Sequence, residues 1–179
     1  MILLSLRRVA PLAALALLST GCGLLQFDVT SKGVTTVQGS AVGAVLPGLS
    51  NFGGFDNFDI SQQSGFNNTD TRKDHISSAR LTKLTMRVTS PQGQDLSFFS
   101  SMKFSISASK PALPSKEIAH LESFPAGATS VDLILDDVDI ADYAKADTFA
   151  ISTQAAGHSP TQTTTIEAAL TLNIHANPL

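Results

Sequence analysis

The chain has 179 residues, 42% of them apolar and 15% charged, with ten Phe, one Tyr, no Trp and one Cys. That length suits one domain with or without a short leader, and it excludes a multidomain architecture. Twelve Lys and Arg against fifteen Asp and Glu give a net charge of −3, which offers no general attraction to nucleic acid. One cysteine supplies neither an intramolecular disulfide nor a Cys-based zinc cluster.

The first element is a leader. Arg7 and Arg8 form a basic stop, and Val9 to Leu18 is an uncharged apolar run. Ten residues of helix span about 15 Å, half a bilayer core, so the run is too short to cross a membrane and reads as an export signal. Small residues Ser19, Thr20 and Gly21 lead directly to Cys22. Leu18-Ser19-Thr20-Gly21-Cys22 resembles the lipobox of bacterial lipoproteins, with its preferred Leu displaced by one position. The resemblance implies cleavage between Gly21 and Cys22, with residues 1–21 removed as signal peptide. It also implies diacylglycerol on the Cys22 sulfur and an acyl chain, palmitate in kind, on the new amino terminus. Two or more such chains hold a protein firmly to a bilayer, and Gly23, where a retention Asp would stand, favours the bacterial outer membrane. Removal of Arg7 and Arg8 moves the net charge from −3 to −5.

Residues 22–179 are expected to form one all-β domain. Phe27 and Val29, then Val34 and Val37, suggest a hairpin turning at Lys32-Gly33. Residues 39–66 are rich in Gly and Phe and too interrupted for a helix. They read either as a long loop whose Phe side chains cover the core, or as an exposed apolar lip that touches lipid or a partner. Leu84 to Val88 alternates apolar and polar residues, as a half-wet strand does. After the turn Ser90-Pro91-Gln92-Gly93, Asp95 is a candidate cap for a turn that tucks Leu96 and Phe99 inward.

Met102, Phe104, Ile106 and Ala108 define the next strand, Ile118 to Leu121 a short one, and Val131, Leu133 and Leu135 another. Asp139 is a candidate cap for a short helical turn through Tyr143. Phe149 to Thr153 and the long alternation from Ile166 to Ile174 complete the set. Strands at this spacing, without long helical patterns between them, predict an antiparallel β-sandwich, immunoglobulin-like in type, with a closed barrel as the alternative.

The region after the leader is also similar to uncharacterised exported domains of bacterial lipoproteins. The residues that carry this likeness are Ser90-Pro91 with Gly93, Asp95-Leu96-Ser97-Phe98, and Asp137-Val138-Asp139 with Tyr143, Lys145 and Ala146. It implies a fold and no activity.

Catalytic motifs are weak. His75, His120, His158 and His175 show no metal-binding spacing to one another, Gly48-Leu49-Ser50 lacks the second Gly of a nucleophile elbow, and Gly53-Gly54 is followed by no phosphate-binding signature. Arg72, Lys73, Arg80, Lys83 and Arg87 recur close together, and alternation sets Lys83 and Arg87 among threonines on a solvated sheet face. Asp136, Asp137 and Asp139 are the candidate metal ligands, with calcium as the cation. The expectation is therefore a lipid-anchored, non-catalytic binding or structural module of the cell envelope. It would meet the membrane through its anchor and take an envelope protein or glycan as partner, with no nucleic acid. A surface adhesin or carbohydrate-binding module is the second reading, and a hydrolase the third.

Overall fold

The computed structural model describes residues 25–178 apart from 41–43, 47, 50, 68 and 70. Eight strands form two four-stranded antiparallel sheets packed as a sandwich. Sheet one has the order β1 (Leu25–Val37), β8 (Thr164–Ala176), β2 (Ile76–Ser90), β5 (Ser130–Asp132). Sheet two has the order β6 (Ile134–Leu135), β4 (Ala112–Leu121), β3 (Phe99–Ser109), β7 (Phe149–Gly157). The helices are single turns, α1 (Ser64–Asn67) and α2 (Ala141–Lys145), and no helix of the described residues is long and apolar enough to cross a membrane.

Period-two hydrophobicity builds the core. In β8 the residues Ile166, Ala168, Leu170, Leu172 and Ile174 are all buried, while their neighbours reach the surface. Met102, Phe104 and Ile106 do the same in β3 from the facing sheet. Phe52 stacks on Phe104 at 5.7 Å between ring centroids, near the middle of this core.

The strand order is not that of an immunoglobulin domain, in which the first two strands lie side by side in one sheet. Here the first strand pairs along its whole length with the last, Leu25 opposite Ala176 and Val37 opposite Thr164. The segment around Phe58 bridges to Phe149 at the free edge of β7. Pairing therefore nests inward: β1 with β8, this segment with β7, β2 with β5, β3 with β4. A doubled ribbon rolled over itself in that way is a jelly roll. It is a pair of stacked sheets and not a closed barrel.

Two expectations for the amino-terminal half change. Lys32-Gly33 makes no hairpin; β1 runs straight through it, alternating inward and outward from Leu25 to Val37. Gly33 faces the core, where a Cβ would lie 2.7 Å from Phe52 Cβ. It is a glycine because the Phe52 side chain occupies the space, a close approach that sequence alone reads as a turn. Nor do the Phe side chains of residues 39–66 form an exposed lip: Phe52, Phe55, Phe58 and Phe66 are all buried. Between them the backbone crosses β1, with Val34 and Gly53 exchanging both hydrogen bonds at 3.0 and 2.9 Å. Gly54, at φ 101°, passes so close that a Cβ would meet the Lys32 carbonyl at 2.5 Å.

On the other flank a single run of chain changes sheet. It is β5 beside β2, then the buried Leu133 donating its N–H to the Leu84 carbonyl at 2.9 Å, then β6 beside β4. Asp95 accepts from Ser97 N at 3.1 Å, Ser97 Oγ at 2.7 Å and Gly127 N at 3.0 Å, so Leu96 and Phe99 turn inward as the sequence suggests.

Candidate functional site

A concavity of about 830 Å³ lies on the outer face of sheet one. Its form follows from strand order and side-chain size. The central strand β8 supplies a floor of Glu167, Ala169 and Thr171, with Ala169 opposite Lys32 on one side and Thr85 on the other. Longer side chains of the flanking strands make the walls: Thr30 and Lys32 from β1, Lys83, Thr85 and Arg87 from β2. Gln63, just after a 3-10 turn at Ile60–Gln62, closes over one side. A volume of this size falls within the range typical of small-ligand sites.

A bulge sets which β2 residues face outward. Before it Ala79 and Leu81 are buried, after it Leu84 and Met86, and the register slips between Leu81 and Lys83. The extra residue, Thr82, reverses the alternation. Without it, Lys83, Thr85 and Arg87 would point into the core.

The groove is locally cationic on a chain of net charge −3. Lys32, Lys83 and Arg87 line it against the single carboxylate of Glu167. Glu167 is held between Arg87 Nε at 3.0 Å and Lys32 Nζ at 3.3 Å. The Arg87 hydrogen bond in first place, with the Lys32 contact behind it, keeps the carboxyl below its ordinary pKa. Thr85 donates its hydroxyl to Asp132 on β5. Lys83 makes no ion pair among the described residues. The site thus presents an uncommitted ammonium group, a guanidinium and several hydroxyls along about 13 Å of strand.

Sequence reading placed Lys83 and Arg87 on the solvated face of a strand, and they are there. It missed Lys32, read as a turn residue, and Glu167, whose partners come from strands far away in sequence. Pairing of β1 with β8 is the information that joins them, and nothing local encodes it.

The acidic candidates are turned to separate partners. Asp139 accepts from Ala141 N at 2.9 Å and Ala79 N at 3.2 Å, Asp137 pairs with Arg80 at 2.7 Å, and Asp136 faces His120 at 3.0 Å. Asp139 does the capping work expected of it from one residue before Ile140, the formal cap of α2. Gly21 and Cys22 lie outside the described residues. The four histidines occupy different places: His75 in a 3-10 turn, His120 on β4, His158 beside Val45, and His175 on β8.

No protein-family model matches the chain, and no curated protein matches it. Among solved structures, a crystal structure of a 60-mer BFDV capsid protein is similar to it. That match has a TM-score of 0.39 and 12% identity, over 87% of this chain and 94% of that one. The lipoprotein resemblance is not borne out: the similar solved structure is a capsid protein. Also not borne out are the lipid-anchored envelope module with its adhesin, carbohydrate-binding and hydrolase alternatives, the membrane and the envelope or glycan partners, and the outer-membrane address. At this level of similarity the likeness assigns the chain no capsid role.

Proposed function

We propose that this domain is a non-catalytic jelly-roll module that holds an anionic group of an extended polar ligand in the groove over β8. The observation that carries the reading is the cationic lining, with Lys83 unpaired beside Arg87 above a floor made low by Ala169. A carboxylate or a phosphate there would meet an ammonium, a guanidinium and threonine hydroxyls at once. Glu167, kept ionised by its two cationic neighbours, is poorly suited to donate a proton near neutral pH, which favours binding over general acid catalysis at this place.

The test is a titration of isotopically labelled protein followed by amide NMR, with a short oligoglutamate peptide in one arm and inorganic phosphate in the other. Shifts should gather at Lys83, Thr85, Arg87 and Ala169, and weaken as salt is raised. Lys83→Glu, an exposed substitution that leaves the Arg87–Glu167 pair in place, should lower affinity at least tenfold. Equal binding by that variant, or shifts centred elsewhere, would overturn the reading.

A further inference from the structure

On the opposite sheet, β4 carries Glu117 and His120. Residues three apart on a regular strand point to opposite faces. Here the pairing with β3 steps from Phe104 opposite Ala119 to Ser105 opposite Glu117, so that Ile118 is an extra residue. Ile118 and Ala119 are both buried, and Glu117 and His120 emerge on the same side. The carbonyl of Ile118 accepts the backbone N–H of Asp136 at 3.1 Å, which brings a third side chain to the place just after β6.

Three potential ligand atoms result, one from each of Glu117, His120 and Asp136, all within 4.8 Å of one another. His120 Nδ1 lies 3.0 Å from Asp136 Oδ1 and 3.5 Å from Glu117 Oε1. It hydrogen-bonds to neither: Nδ1 is shut off from solvent and without a hydrogen-bond partner, and Asp136 Oδ2 is in the same condition. A buried imidazole nitrogen beside carboxylate oxygens, with no hydrogen bond between them, is costly unless something else satisfies the lone pairs. Zinc bound at about 2.0–2.1 Å from N and O ligands in a tetrahedron has neighbouring ligands about 3.3 Å apart, and the two distances from Nδ1 bracket that edge. Lys103, opposite His120 on β3, takes the other oxygen of Glu117, Oε2, at 3.1 Å and so leaves Oε1 turned to the cluster.

We propose that Glu117, His120 and Asp136 form a binding site for a divalent transition-metal ion, with zinc the best fit. One imidazole and two carboxylates select such a cation over magnesium or calcium, which prefer all-oxygen shells. Three protein ligands leave a fourth position to water. The ion would clamp β4 to the chain leaving β6, and the site is independent of the groove on sheet one.

Isothermal titration of the full chain, freed of metal by chelation, with zinc alone should show one ion per chain. Cobalt in its place should give the intense visible bands of a four-coordinate site. His120→Ala and Asp136→Asn should each weaken zinc binding at least tenfold and abolish the cobalt bands, with circular dichroism showing the fold intact. Asp136→Asn keeps the backbone bond to Ile118, so it separates loss of a ligand from loss of structure. Calcium at the same concentration should not compete. Absence of zinc uptake by the folded wild type, or unchanged uptake by both variants, would overturn the proposal.

Discussion

At the scale of single residues, two positions show how far a local signal can mislead or inform. Gly33 looks like punctuation and is in fact a packing residue, with Phe52 Cβ where its own Cβ would be. Gly33→Ala should therefore destabilise by about 1–3 kcal/mol through overpacking, seen as a lower urea midpoint with an unchanged slope. Asp139 is the opposite case, legible from its place before a short helical turn. Burial pushes its carboxyl pKa up, but N–H groups of Ala141 and Ala79, the Ser78 hydroxyl and the Arg80 charge together bring it below the ordinary value. A lowered folded-state pKa means that its stabilisation is present above about pH 4 and disappears as acid protonates the carboxylate. Asp139→Ala should cost about 1 kcal/mol at neutral pH, and urea midpoints of wild type and variant should converge as acid protonates the folded-state carboxyl.

At the scale of elements, bulges decide what each sheet presents. Thr82 in β2 turns Lys83, Thr85 and Arg87 outward, and Ile118 in β4 brings Glu117 and His120 to one side. Period-two reading recovers strands well, as in Ile166 to Ile174, because burial on one face repeats with the pleat. It cannot see an inserted residue, which is why the His120 cluster was invisible in the sequence while the Lys83 face was not. The role of Thr82 is one of count and not of chemistry. Thr82→Ala, which gives up one hydroxyl bond to the Thr171 carbonyl, should cost no more than about 1 kcal/mol. Deletion of Thr82 should instead drive charged side chains inward and abolish cooperative unfolding in a thermal melt.

At the scale of the molecule, the two-sheet sandwich was legible and its wiring was not. Alternation, turn residues and the lack of helical stretches specify stacked antiparallel sheets, yet an immunoglobulin domain and a jelly roll share all of these. They differ in which distant strands pair, and that is set by the fit of whole faces. Residues 39–66 illustrate the point. Their Phe content announced apolar contact, but only the fold shows that the contact is internal, with Phe52, Phe55, Phe58 and Phe66 filling the side of the sandwich between β1 and β7. The same wiring brings Lys32 to Glu167 and so creates the groove.

The pairing of the first strand with the last also has a bearing on how the molecule is made. Val37 finds its sheet neighbour in Thr164, which leaves the ribosome only after all the intervening chain has been synthesised. At usual elongation rates that delay is on the order of ten seconds. During it, thirteen residues of ready-made strand have the Gly53 stretch and the Phe66 turn beside them but not their ladder partner, a window in which a nascent chain is open to wrong partners and to chaperones alike.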